Sequence, residues 1–161
     1  MVARVSPEDR ELRALLGEVH TIAVVGLSSR PGRPSFEVAT YLADHGYRIV
    51  PVNPNATEVL GEPAYASLLE VPDEIAIDVV DVFRRAEHAP EVAEQAVARG
   101  AKVLWLQEGI ANDDARRIGE DAGLTVIMGV CIRKQKQRLE RGFGGVAEPK
   151  ASEAPENEGG S

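Results

Sequence analysis

Residues 21–38 read Thr21-Ile22-Ala23-Val24-Val25-Gly26-Leu27-Ser28-Ser29-Arg30-Pro31-Gly32-Arg33-Pro34-Ser35-Phe36-Glu37-Val38. Thr21 to Val25 is a β-branched, apolar run without strict alternation, the pattern of a strand covered on both faces. Gly26 lets the chain turn sharply off that strand. Past the polar loop, Val38, Tyr41, Leu42 and His45 form a stripe at i, i+3, i+4, i+7, which predicts a helix, and Gly46 stands where a left-handed cap would end it. A buried strand, a glycine turn, a polar loop and an amphipathic helix make the first half of a strand–helix–strand unit.

The same grammar continues down the chain. Further β-branched runs lie at Arg48–Val52, Ile77–Val82, Lys102–Leu106 and Leu124–Met128. Between them, Ala89, Val92, Ala93, Ala96 and Val97 form a second helical stripe, with Pro90 in its first turn and Gly100 after its end. Ala111, Ala115, Ile118 and Ala122 form a third, with Asn112 as an N-cap and Gly123 closing it. A helix around Glu8 to Leu16 precedes the first strand, and a short one is expected around Tyr65 to Glu70. Five strands alternating with helices predict an α/β fold: a Rossmann-type, doubly wound, five-stranded parallel sheet in a single domain.

Composition bounds the rest. The chain has 161 residues, 43% hydrophobic and 27% charged, enough for one compact core. We read residues 1–19 as an N-terminal helical entry, 20–142 as the Rossmann-like domain and 143–161 as a disordered acidic tail. In that tail, Glu148, Glu153, Glu156 and Glu158 against Lys150 give −3 of the net −8. An acidic chain argues against non-specific nucleic-acid binding, which depends on phosphate neutralisation. No apolar run spans a bilayer, and the charged N-terminus lacks the apolar core of a signal peptide, so a cytoplasmic location is expected. The single cysteine, Cys131, rules out an internal disulfide and a multi-cysteine metal site, and no metal site is expected. The basic stretch Arg133, Lys134, Lys136, Arg138 and Arg141 reads either as a phosphate-contacting helix or as a solvated C-terminal helix whose cations complement its dipole.

In open α/β sheets, ligands bind beyond the carboxyl ends of the strands, so the residues just after each strand carry the functional reading. After the first, Ser28, Ser29 and Ser35 offer hydroxyls, the next helix offers free N–H groups, and Arg30 and Arg33 can neutralise phosphate charge. The alternative is a Gly/Pro turn with two solvated arginines. The dinucleotide fingerprint G-x-G-x-x-G is absent. The second strand ends in Val52-Asn53-Pro54-Asn55, without the acid expected roughly 20 residues on for a ribose 2′-hydroxyl. This disfavours NAD. After the third strand, Val82 and Phe83 either pack on an adenine or simply end a buried strand, and Arg84 can reach a phosphate. After the fourth, Gln107 and the backbone that follows can hydrogen-bond a ligand, while Trp105 packs in the core.

At these strand ends the chain resembles the CoA-binding domain family, nearest its small stand-alone members. The matching pieces are Ala23-Val24-Val25-Gly26-Leu27-Ser28 with Arg33-Pro34-Ser35, and Gly46-Tyr47-Arg48-Ile49-Val50-Pro51-Val52-Asn53-Pro54. Val79-Val80-Asp81-Val82-Phe83-Arg84 and Gly100-Ala101-Lys102-Val103-Leu104-Trp105-Leu106-Gln107-Glu108-Gly109 complete the set. The resemblance covers roughly residues 10 to 140 and implies coenzyme A or an acyl-CoA as ligand, lying along the carboxyl edge of the sheet. It implies phosphate contacts from Gly26, Ser28, Arg30, Arg33 and Ser35, with Leu27 and Pro34 also among the cofactor-binding residues. It further places Asn53 and Pro54 by the nucleotide, Val82 and Phe83 near the adenine with Arg84 beside them, and Gln107 and Gly109 on the pantetheine side. The same domain opens the α-subunit of succinyl-CoA synthetase and the ADP-forming acyl-CoA synthetases. There the Asn-Pro pair commonly continues into lysine, where this chain has Asn55.

Those synthetases need a second domain with a phosphorylated histidine, which this chain is expected to lack. His20, His45 and His88 read as structural or solvated. No catalytic residue is assigned. The expected role is a non-catalytic carrier, sensor or regulatory module with a possible protein partner. The alternatives are the nucleotide-binding subunit of an ADP-forming acyl-CoA synthetase whose catalytic part is a separate chain, or an NAD(P)-binding redox module. Cys131, after the fifth strand, is either a thiol able to form a mixed disulfide with CoA or a half-buried structural cysteine. Relatives often place Asp and a basic residue before it, where this chain has Gly129-Val130.

Overall fold

The structure, a computed structural model, describes residue 4 and residues 6–144, with side chains to Arg141. Its main sheet has five parallel strands: β1 (Thr21–Val25), β2 (Arg48–Val52), β5 (Val79–Val82), β6 (Val103–Leu106) and β7 (Thr125–Met128). They lie in the order β2-β1-β5-β6-β7, so the order reverses between β1 and β5. The expected doubly wound α/β sheet is what the chain forms. β5, β6 and β7 each start one or two residues later than the apolar runs. Ahead of β5, for example, Asp78 is engaged through its side chain, accepting the N–H groups of His20 and Thr21 at 2.8 and 3.0 Å.

Strand alternation divides the core into two layers. Ile22, Val24, Ile49, Val79, Trp105 and Ile127 pack against α1 (Asp9–Glu18), α2 (Pro34–Asp44) and α5 (Ile132–Gly144). Ala23, Val25, Val80, Val82, Leu104 and Met128 pack against α3 (Ala89–Ala98) and α4 (Asp113–Asp121). Burial of both faces explains why the strands carry no polar alternation. The Trp105 indole N–H donates to the Val130 carbonyl at 2.9 Å, which ties the β7–α5 turn to β6. Asn112 caps α4 as expected, its Oδ1 accepting the Ala115 N–H at 2.9 Å.

Two features were not in the sequence reading. A two-stranded hairpin, β3 (Glu58–Val59) and β4 (Glu62–Pro63), turns through Leu60 at φ 55° and Gly61 at φ 77°. The short helix expected over Tyr65 to Glu70 is a single 3-10 turn, Leu68–Glu70. Beside it the Arg99 guanidinium donates to four carbonyls, those of Leu68, Val71, Pro72 and Ile75. α5 runs to Gly144, two residues into the segment read as a tail; the remainder of that expected tail lies outside the described residues. None of the described helices is long and apolar enough to cross a membrane.

Candidate functional site

The switch between β1 and β5 is built by close backbone approach. Gly26 has φ +88°, and a Cβ there would sit 2.6 Å from the Phe83 carbonyl oxygen. Its N–H donates to Val52 O at 2.8 Å, and the Phe83 N–H donates to Val25 O at 2.8 Å. Glycine's missing side chain therefore lets three strand ends converge. Asn53 secures the second of them: its Nδ2 donates to Leu27 O at 2.8 Å, and its Oδ1 accepts the Asn55 N–H at 2.8 Å.

The β1–α2 loop is laced by its own serines. Ser35 Oγ accepts the Ser28 N–H at 2.9 Å, and Ser28 Oγ accepts the Arg30 N–H at 3.1 Å. Each hydroxyl is used as an acceptor inside the loop and keeps its own O–H to donate. Arg33, the N-cap of α2, provides no side-chain acceptor to the first turn, and Pro34 follows it. The first N–H groups of α2 thus keep their anion-attracting character. The Glu37 carboxylate, in that same turn, accepts the Gly32 N–H at 2.9 Å.

Two adjacent cavities lie along the carboxyl edge. One, of about 490 Å³, is bounded by Gly26, Asn53, Pro54, Ser67, His88 and Gln95. The other, of about 680 Å³, is bounded by Pro34, Val38, Gln107, Gly109, Cys131 and Arg133. Phe83, Arg84 and Arg85 belong to both and form the ridge between them. Both volumes lie in the range of small-molecule sites.

The structure thus brings Gly26, Asn53, Pro54, Phe83 and Arg84 around the first cavity, and Pro34, Phe83, Arg84, Gln107 and Gly109 around the second. Arg30 and Arg33 stand exposed on the loop, outside the walls of both. Among the described residues, the side chains of Arg30, Arg33 and Arg84 have no hydrogen bond or ion pair within the protein. Leu27 and Val82 are fully buried, so Leu27 meets the site through its carbonyl's bond to Asn53, and Val82 lies beneath the cavities rather than in their walls.

The basic helix divides. Lys136 pairs with Glu140 at 3.3 Å and Arg138 with Asp9 at 3.0 Å, as structural contacts. Arg133 and Lys134 fall in the first turn of α5, the end where the dipole disfavours cations, and both line the second cavity. Complementing the dipole therefore does not account for those two. Lys134 also pairs with Glu108 at 2.9 Å. His88, read as structural or solvated, borders the first cavity.

Beneath the second cavity lies a buried polar pair. Asp81, on β5 with Val24 and Trp105 in register on either side, is fully buried. Gln107, 3% exposed, donates from Nε2 to Asp81 Oδ1. Burial, which favours its neutral form, pushes the Asp81 carboxyl up to about 8, against the opposing effect of the Gln107 bond. Cys131 is 7% exposed. Burial pushes its thiol up too, against the lowering effect of the Lys134 and Arg133 N–H groups, and Asp81 adds to the rise once it is ionised. That direction is opposite to the one an activated thiolate requires. Sequence reasoning assigned Asp81 no role, although a lone acid inside an apolar strand, Val80-Asp81-Val82, was an available signal.

Residues 20–136 match the CoA binding domain family. The chain belongs to that family. Over 128 residues it is 44% identical to YneT, an uncharacterized protein of Bacillus subtilis, covering 80% of this chain and 93% of that protein. It is 36% identical over 84 residues to the ADP-forming acetate–CoA ligase II of Archaeoglobus fulgidus, where the match spans 51% of this chain but 12% of the ligase. Among solved structures it is similar to a hypothetical protein from Pyrococcus horikoshii OT3, with a TM-score of 0.79 and 36% identity, covering 86% of this chain and 99% of that one. The domain is thus related to the CoA-binding portion of ADP-forming acetate–CoA ligases, and it also occurs with little added to it.

Proposed function

We propose that this protein binds coenzyme A or an acyl-CoA as a non-catalytic carrier, sensor or regulatory module. The observation that carries the reading is the pair of cavities sharing the Phe83-Arg84-Arg85 ridge. In this reading the nucleotide takes the cavity walled by Asn53 and Pro54, with Phe83 available to its adenine. The phosphates meet Gly26, the Ser28 and Ser35 hydroxyls, the start of α2, and Arg30, Arg33 and Arg84, whose side chains are unpaired among the described residues. The pantetheine arm crosses the ridge into the cavity walled by Gln107 and Gly109. Arg84 and Arg85, on the ridge common to both cavities, offer cations to the phosphates of a ligand that spans them.

Titration calorimetry with coenzyme A, acetyl-CoA and NAD tests it. Saturable binding of the two CoA compounds, and none of NAD, is expected. Binding of NAD with no heat from CoA at millimolar concentration would overturn it in favour of a redox module.

The similarity to ADP-forming acetate–CoA ligases supports a second reading, a nucleotide-binding subunit acting with a separate catalytic chain. Co-purification of a synthetase chain with the tagged protein from its native cell, with acyl-CoA formation by the pair, would select it over the stand-alone role.

A further inference from the structure

Beneath the second cavity lies a group for which CoA binding alone gives no use: a carboxyl buried at the centre of the sheet. Asp81 is fully buried, and its Oδ2 has no hydrogen-bond partner among the described residues. Such a group is costly in an apolar layer, where leucine or valine would fit the strand pattern. Its one bond goes to Gln107, which lines the cavity. Because Gln107 Nε2 is drawn inward to Asp81 Oδ1, the polar atom that this amide presents to the cavity is Oε1.

We propose that Asp81 is a positioning residue: it fixes the Gln107 amide with its N–H inward, so that Gln107 Oε1 is the acceptor offered to an amide N–H of the bound arm. The proposal rests on the coenzyme A reading and adds to it which atom reads the arm. The wall around Gln107 is mixed, with Arg84, Arg85 and Arg133 among its cations. Val38 and Ile110 are apolar parts of the wall, and Glu108, its acid, is paired with Lys134. Next to Asp81, Val24 and Trp105 are neutral, and the titratable group acting with it is the protonated Cys131. An acceptor held rigidly in such a wall selects a ligand with an N–H there, because an arm without one leaves Oε1 desolvated and unpaired.

The test compares acetyl-CoA with adenosine 3′,5′-bisphosphate, which has the nucleotide but no arm, on the full chain. Asp81→Leu and Gln107→Leu are each expected to weaken acetyl-CoA about tenfold, the scale of one net hydrogen bond, and to leave the bisphosphate within about twofold. Asp81→Asn keeps an acceptor toward Gln107 and is expected to retain acetyl-CoA affinity. Unchanged acetyl-CoA binding by Asp81→Leu overturns the proposal. So does equal loss of both ligands, or loss in Asp81→Asn matching that in Asp81→Leu. Should Asp81→Leu not fold, Gln107→Leu at the cavity wall decides by the same comparison. If the unmodified protein binds neither compound, it is the coenzyme A reading that fails.

Discussion

A methyl group on the Cα of Gly26 would sit 2.6 Å from the carbonyl oxygen of Phe83. This contact sets the spacing of β1 and β5 where the sheet order reverses, and both residues border the first cavity. Gly26→Ala adds that clash to the cost of φ +88°. We expect a loss of about 2–4 kcal/mol in stability, seen as a lower urea midpoint, together with weakened CoA binding. Wild-type stability in this variant would show that the strand ends can part without cost.

Asp81 makes stability depend on pH. Its carboxyl is raised from 3.8 to about 8, so between those values the folded chain holds a proton that the unfolded chain has released. The favourable contribution is complete below the unfolded value and is lost as pH rises through the folded one. Asp81→Asn removes that linkage. The variant should gain stability relative to the natural chain as pH moves from 4 to 8, measured by denaturant unfolding across the range. A constant difference would contradict a raised carboxyl.

Arg99 holds the loop ahead of β5 through four carbonyl groups. Lysine keeps the charge but lacks the planar fork. Arg99→Lys should cost about 1–3 kcal/mol and speed hydrogen exchange and proteolysis selectively between Leu68 and Ile75. Uniform exchange changes across the domain would argue against a local clamp.

The arginine edge predicts a salt signature. Replacing Arg30, Arg33 and Arg84 together with glutamine should weaken CoA binding by about 100-fold at low salt and flatten its dependence on ionic strength. The measurement is calorimetry at two or more salt concentrations, and an unaltered salt slope would mean the phosphates lie elsewhere.

Cys131 should be a slow nucleophile. Its burial and raised thiol direction predict reaction with an aromatic disulfide reagent at least about tenfold slower than a free cysteine at pH 7.5. A faster rate would revive the mixed-disulfide alternative.

The strands were legible because both faces of the sheet are covered: residues 22–25 of β1 and 49–52 of β2 stand as continuous apolar runs with turn residues after each. Strand-end residues such as Gly26, Asn53 and Gln107 were legible for the same reason, since a parallel sheet brings all its carboxyl ends to one edge. What the pattern could not give is pairing at a distance. Asp81 and Gln107 are 26 positions apart, and their bond depends on the register of β5 with β6. Arg99 reads as a helix-end cation until the loop at 68–75 folds over it. The β3–β4 hairpin, two residues to a strand, is too short for any periodicity to mark it.

On the coenzyme A reading, the ridge of Phe83, Arg84 and Arg85, common to both cavities, would make the edge a bivalent receptor. For a ligand spanning it, the second half arrives tethered, at an effective concentration in the millimolar range for a short flexible link. Nucleotide and arm offered as separate compounds each face only half the surface, without that local enrichment. Hydrolysis of the ligand between its halves would therefore release both fragments, so occupancy would report intact coenzyme rather than its breakdown products.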